Sequence, residues 1–193
     1  MSTVEIEVKF LVADPAALAR RLAGAGFRIE TPRTFERNIL YDTPDRRLRS
    51  RQSILRVRNY GGSWKITYKC LPLDNDPAAR HKHREETETT VEDGEALGDI
   101  FTQLGYAPAF VYEKWRTEYA DAGGHCVLDE TPIGVYAELE GPEDWIDATG
   151  RKLDVDPGDF LTLSYGRLFE QWRQQTGSSA QNLTFQEIPS AKS

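Results

Sequence analysis

Glu5-Ile6-Glu7-Val8-Lys9-Phe10 alternates charged and apolar residues without a break. Successive side chains of a β-strand point to opposite faces. A strand here carries Glu5, Glu7 and Lys9 on one face and Ile6, Val8 and Phe10 on the other. By itself this describes any strand with a solvated outer face over an apolar core. The pattern recurs along the chain. Arg56 and Arg58 alternate with Leu55 and Val57, and Lys65, Thr67 and Lys69 with Ile66 and Tyr68. Arg84, Glu86 and Glu88 share a face, Lys114 and Arg116 flank Trp115, Asp129 follows Val127-Leu128, and Glu138 and Glu140 flank Leu139. A plain outer face is a mixture of Thr, Ser and Lys. These faces are dense in Glu and Arg and set like charges two residues apart, where they repel unless something compensates.

Working outward from these stretches, turn and cap residues divide the chain. Asp14-Pro15 opens a helix that Gly24 or Gly26 ends. A strand over 37–42 leads into a polar segment over 43–53, and Gly61-Gly62 joins strands 54–60 and 64–70 as a hairpin. The segment 71–83 reads as a mobile loop, followed by a strand over 84–91 and a helix over 93–104. Strands over 111–119, 125–129 and 134–140 precede a short helix over 143–149 and a long amphipathic one over 160–175. Residues 177–193 read as a loosely held tail behind one domain over 1–176. Roughly eight strands with short turns favour antiparallel pairing and closure. The fold class is α+β: a closed eight-stranded antiparallel β-barrel with a charged lumen and flanking helices.

If the charged faces point inward, the helices must cover the apolar outer wall. The lumen then holds roughly seven carboxylates (Glu5, Glu7, Glu86, Glu88, Asp129, Glu138, Glu140). Against them stand about eight cations (Lys9, Arg56, Arg58, Lys65, Lys69, Arg84, Lys114, Arg116). Burying so many charges is costly unless they pair or a ligand satisfies them. A polyanion with divalent cations satisfies both sets: carboxylates hold Mg²⁺ or Mn²⁺, and arginines and lysines hold phosphate oxygens. No Gly-x-x-x-x-Gly-Lys-Ser/Thr phosphate loop is present.

The net charge of −7 argues against nucleic-acid binding through bulk charge. The run Arg46, Arg47, Arg49 and Arg51 reads more readily as a solvated basic turn than as a nucleic-acid grip. No apolar stretch is long enough for a membrane helix, and no basic and apolar leader opens the sequence. A cytoplasmic protein with no membrane partner is therefore expected. Cys70 and Cys126 read as reduced, passive thiols, and His81 and His83 as solvated loop residues with a lid or proton shuttle as the functional alternative.

The residues also resemble a known family. Glu5-Ile6-Glu7-Val8-Lys9 matches the ExExK signature of the CYTH superfamily, the triphosphate tunnel metalloenzymes. The order of later stretches carries the match: Tyr41-Asp42-Thr43-Pro44, Leu55-Arg56-Val57-Arg58, Thr67-Tyr68-Lys69 and Arg84-Glu85-Glu86-Thr87-Glu88. Lys114-Trp115-Arg116, Leu128-Asp129-Glu130, Glu138-Leu139-Glu140 and Ser164-Tyr165 follow. In general look it is similar to the bacterial class IV adenylate cyclase-like branch. The resemblance implies a tunnel open at both ends. It implies Glu5, Glu7, Glu138 and Glu140 as metal-side carboxylates, with Asp129, Glu86 and Glu88 as further ones. It implies Lys9, Arg56, Arg58, Lys69, Arg84, Lys114 and Arg116 as triphosphate contacts, and Lys65 shares their face.

Three readings of activity follow. Hydrolysis of tripolyphosphate, thiamine triphosphate or another triphosphate needs only the tunnel. Class IV adenylate cyclase activity needs an adenine pocket as well, for which the 71–83 loop is the place to look. A non-catalytic polyphosphate or nucleotide sensor needs binding without turnover. The pattern does not single out the residue that activates the nucleophile; Lys9 and Lys69 are the candidates. The oligomeric state stays open, a homodimer included.

Overall fold

Each alternating stretch becomes a strand of one sheet. The protein is described by a computed structural model that covers residues 3–73, 76 and 78–189. Its strands are β1 (Thr3–Leu11), β2 (Arg28–Asp42), β3 (Ile54–Tyr60), β4 (Ser63–Cys70), β5 (Lys82–Val91), β6 (Ala107–Ala120), β7 (His125–Thr131) and β8 (Gly134–Glu140). They close into an antiparallel barrel in the order β1-β5-β4-β3-β2-β6-β7-β8. The last strand returns to the first, with Glu7 opposite Glu140 and Lys9 opposite Glu138. The expected fold class is the observed one.

The barrel is inside-out in polarity. Val8 and Phe10 point outward, where α1 (Pro15–Gly24) lays Leu18 and Leu22 on them and α4 (Glu143–Lys152) adds Ile146. These residues form the largest apolar cluster, so the main core lies between wall and helices. Asp14 caps α1 by accepting from the Ala17 backbone N–H at 2.9 Å, and Pro15 fits the first turn. On the far side α3 (Gly94–Gln103) packs Phe101 against Tyr41 and Val57. A Cβ at Gly98 would lie 2.3 Å from the Tyr41 hydroxyl, and one at Gly94 would lie 2.2 Å from the Trp64 ring. Both glycines let this helix sit against the wall.

Four departures from the sequence reading bear on the site and its cover. First, β2 starts at Arg28 rather than at residue 37. Register shifts around Thr31 and Thr34 break the alternation that marks a strand. Second, β5 starts at Lys82, so Lys82 and His83 belong to the barrel and only 71–81 is loop; residues 74, 75 and 77 lie outside the described residues. His81 is buried rather than solvated, its Nε2 lying 3.0 Å from Asp147 Oδ1 on α4.

Third, the last helix, α5 (Tyr165–Thr176), begins at Tyr165 and not at residue 160. Ser164 caps it, and Leu161 instead pairs with Lys9 through backbone hydrogen bonds of 2.7 and 2.9 Å. Fourth, the tail over 177–189 is not loosely held. Leu183 exchanges backbone hydrogen bonds with Val111 and Glu113 on β6, and Leu183 and Ile188 are buried with Leu168 and Phe169. Residues 190–193 of the expected tail lie outside the described residues.

The tail thus acts as a short added strand. Replacing a fully buried leucine with alanine costs about 2–5 kcal/mol in most cores. For Leu183→Ala the expected loss of unfolding free energy, read from urea denaturation, falls in that range. A loss below about 0.5 kcal/mol, typical of surface sites, would show that the tail does not belong to the core.

Candidate functional site

Alternation in the strands aims the charged residues at the lumen, and there they pair into three groups. At one rim, β1 and β8 bring Glu5, Glu7 and Glu140 together. Lys69 from β4 donates to Glu5 at 2.6 and 2.7 Å and also pairs with Glu86. Lys82 from β5 pairs with Glu7. Glu140 has no ion-pair partner among the described residues.

Deeper in the lumen, Asp129 on β7 is fully buried and accepts from Lys114, Arg116 and the Tyr165 hydroxyl at 2.6–2.8 Å. Arg116 also donates to Glu138 at 2.8 Å, and Lys9 pairs with the same carboxylate. On the third side Glu88 accepts from Lys65 and Thr67 at 2.8 Å and from Arg58 at 3.1 Å. Arg56 reaches Thr67 at 3.1 Å and Tyr112 at 3.3 Å.

Lys9, Arg56, Arg58, Lys65, Lys69, Lys114 and Arg116 are therefore gathered around one lumen, each held by a carboxylate or hydroxyl partner. Arg84 differs: one of its nitrogens donates to the Gln52 backbone carbonyl at 2.9 Å, tying β5 to the segment before β3. The basic run at 46–51 stays outside. There Arg49 pairs with Glu170 and Arg47 with Asp45.

One lumen carboxylate escapes a reading based on a strand that starts at residue 37. Glu36 on β2 is fully buried, with Lys114 Nζ at 3.5 Å and Arg58 and Arg116 nitrogens at 3.9 Å. Alternation through Thr34, Glu36, Asn38 and Leu40 marks it once β2 is extended backwards. Lys82 escapes for the same reason, lying inside the expected loop.

Tyr165, the first residue of α5, is buried against lumen side chains. Tyr165 packs its ring on Tyr112 at 5.8 Å and Tyr136 at 6.0 Å, and its hydroxyl reaches Asp129. Lys9 and Lys114 ammonium groups lie 4.4 and 4.7 Å from the ring centroid. The ring face suits this place because it accepts the two cations beside it.

Protonation follows this geometry. Burial works against ionisation of Glu7, but Lys82 beside it holds its carboxyl down to about 2. Glu36 is likewise held down to about 2, chiefly by Lys114, Arg116 and Arg58, against the desolvation of its site. Glu140 goes the other way. Although it sits exposed at the rim, desolvation by the wall, reinforced by Glu5 and Glu7, pushes its carboxyl up to about 7. Glu5 is raised for the same reasons, with Lys69 opposing. The rim holds more negative charge than its two lysines offset.

Residues 3–145 match the family model described as the CYTH domain. The chain belongs to the CYTH domain family. A Methanocaldococcus jannaschii protein named as a candidate adenylate cyclase is 29% identical over 138 residues, which cover 71% of this chain and 76% of that protein. Among solved structures, a Vibrio parahaemolyticus candidate adenylate cyclase matches with a TM-score of 0.74 at 18% identity, covering 88% of this chain and 99% of that one. A Pyrococcus horikoshii OT3 protein matches with a TM-score of 0.72 at 25% identity over 85% of this chain and 98% of that one. A Hippeastrum candidate adenylyl cyclase, described as having a dominant triphosphatase activity, matches at 0.62 with 19% identity over 87% of this chain and 96% of that one. The barrel fold is thus shared across distant sequences.

The uncompensated rim charge is measurable. Glu140 titrates at its ordinary 4.5 when unfolded and near 7 when folded. Its folded carboxyl therefore holds a proton that stabilises the protein at low pH, and this contribution is lost as pH rises through about 7. In metal-free buffer, Glu140→Gln should leave the thermal unfolding midpoint level with the parent at pH 4.5 and raise it above the parent at pH 8. A difference that does not change with pH would show that Glu140 is not crowded.

Proposed function

We propose that this CYTH protein is a divalent-metal-dependent enzyme that processes triphosphates, and that its reaction is hydrolysis of the terminal phosphoryl group. The observation that carries this reading is the division of the lumen. Arg56, Arg58, Lys114 and Arg116 line the interior, while Glu5, Glu7 and Glu140 crowd one rim. A triphosphate would place phosphate oxygens on the cations, and a divalent cation held by the rim carboxylates would neutralise its remaining charge.

The rim fits a hard divalent cation by its chemistry. Its donors are carboxylate oxygens, and two of them are raised in pKa by burial and mutual repulsion. Among the described residues no set of three such side chains is already arranged around a metal position. Lys69 and Lys82 pair with Glu5 and Glu7. Glu5, Glu7 and Glu140 would hold Mg²⁺ or Mn²⁺. Asp129, Glu138, Glu86 and Glu88 are engaged by lysines and arginines and serve first to orient them. A bound metal supplies charge neutralisation on the phosphate oxygens.

The rest is done by the chain's own side chains. Arg58 and Arg116 present planar forks to phosphate oxygens, and Lys114 and Lys9 add point charges. In a water-poor interior these groups stabilise the charge that builds up during in-line attack. Asp129 keeps Lys114 and Arg116 aimed without reorganisation. No described helix is long and apolar enough to cross a membrane.

Conversion of ATP to cAMP and pyrophosphate is the second reading, favoured by the name of the Methanocaldococcus relative. The products distinguish the two. Purified protein is incubated with tripolyphosphate, thiamine triphosphate and ATP, each with Mg²⁺ or Mn²⁺, and phosphate, pyrophosphate and cAMP are read in parallel. Hydrolysis predicts phosphate from tripolyphosphate and no cAMP from ATP. It also predicts that Arg58→Ala raises KM by about tenfold or more, the loss of a charge-assisted contact. Pyrophosphate and cAMP from ATP would favour the cyclase, and no product from any substrate would overturn both readings.

A further inference from the structure

Glu36 and Asn38 stand two residues apart on β2, and both side chains are fully buried in the lumen. Asn38 Nδ2 donates to Glu36 Oε1 at 2.8 Å. The other two oxygens, Glu36 Oε2 and Asn38 Oδ1, accept no hydrogen bond among the described residues. Two buried acceptors without partners on side chains that hydrogen-bond to each other are unusual, since each such group costs about 1–3 kcal/mol. The pair is built to receive a hydrogen donor.

Its surroundings say which donor. Asn38 lies opposite Arg58 in the β2–β3 register, and Glu36 lies opposite Lys114 in the β2–β6 register. Lys114 Nζ is 3.5 Å from Glu36 Oε1, and Arg58 and Arg116 nitrogens are 3.9 Å from Oε2. These are the cations assigned above to phosphate oxygens. A phosphoryl group held by them is forced beside a carboxylate. Two such anions repel unless a hydrogen lies between them. A water molecule meets the condition. Its two O–H groups donate to Oε2 and Oδ1, and its lone pair is left facing the phosphorus.

We propose that Glu36 and Asn38 hold the attacking water of triphosphate hydrolysis, with Glu36 taking its proton. The inference rests on the hydrolase reading given above and names the group that reading leaves open. The water oxygen bonds to the terminal phosphorus as the bridging P–O bond breaks. The electron pair of that bond leaves with pyrophosphate, one water proton passes to Glu36 Oε2, and orthophosphate is released. The proton then returns to solvent. Without substrate, neighbouring cations keep this carboxylate a weak base. Phosphate oxygens that take up the same cations weaken that hold, so Glu36 gains basicity when the phosphoryl group is in place.

The test separates turnover from binding. For the parent, Glu36→Gln and Asn38→Leu, tripolyphosphate binding is measured by calorimetry with Ca²⁺ in place of the working metal. Phosphate release is measured with Mg²⁺ or Mn²⁺, and thermal unfolding confirms the fold. Glu36→Gln keeps the shape and removes the base, so turnover should fall by about a hundredfold or more while affinity stays level or tightens. Asn38→Leu keeps the branched shape but removes the Oδ1 acceptor together with the Nδ2 donor to Glu36, and should lower turnover by about tenfold or more, again without matching loss of affinity. Turnover of Glu36→Gln within about threefold of the parent would overturn the proposal. So would affinity losses that match the turnover losses, which would make the pair a wall element only. If Glu36→Gln fails to fold, the Asn38→Leu comparison decides alone. A parent that releases no phosphate from any triphosphate would instead sink the hydrolase reading, and this inference with it.

Discussion

Charge buried in a barrel must be answered by opposite charge, and the rest of this structure follows from that constraint. Taking carboxylates and guanidinium groups out of water is unfavourable by several kcal/mol for each ion unless good partners replace the solvent. The lumen meets this by pairing across strands: Lys9 with Glu138, Arg116 with Asp129, Lys69 with Glu5, Arg58 with Glu88. Among the described residues the pairing is incomplete at several lumen groups, Arg56 Nε, Arg58 Nε and Glu86 Oε2 included, and two places bear on the site. The rim carries surplus negative charge at Glu140, and the interior carries empty acceptors at Glu36 and Asn38. These are the two places where a metal-bound triphosphate and its attacking water are proposed to fit.

An inward-charged barrel has its greasy side outward, so its stability depends on what covers the wall. α1 and α4 cover β1, β7 and β8, while α3 covers β3 and β4. α5 and the segment behind it cover the end where Tyr165 enters the lumen. The C-terminal part thereby joins stability to the site. The helix that buries Leu168 and Phe169 also delivers the hydroxyl that holds Asp129, and Asp129 aims Lys114 and Arg116.

The fold was legible because its signal is local. Alternation at Glu5–Lys9, Arg56–Arg58 and Glu138–Glu140 needs only neighbouring residues to be read, and it also supplied the list of lumen charges. What escaped depended on irregular backbone or distant partners. Glu36 was hidden behind the shifts around Thr31 and Thr34 that disguise the first half of β2. Lys82 lay beyond a boundary drawn at residue 84 because the histidines on either side suggested loop, whereas they face α4 through Asp147 and Glu143. The hold on Leu183 comes from β6, some seventy residues earlier, and no local pattern announces it. Likewise, which carboxylates crowd together and which are committed to lysines and arginines depends on cross-barrel geometry that alternation alone does not give.

The central claim is that the lumen is built for a triphosphate together with a divalent cation. It is tested most directly by the thermal unfolding midpoint with tripolyphosphate alone, Mg²⁺ alone, both together, and orthophosphate with Mg²⁺. A ligand that binds only the folded protein raises the midpoint in proportion to its affinity. A concentration-dependent rise with both together that exceeds the sum of the separate effects is expected, and a much smaller one with orthophosphate. No shift with both at millimolar concentration, or an equal shift with orthophosphate, would contradict it.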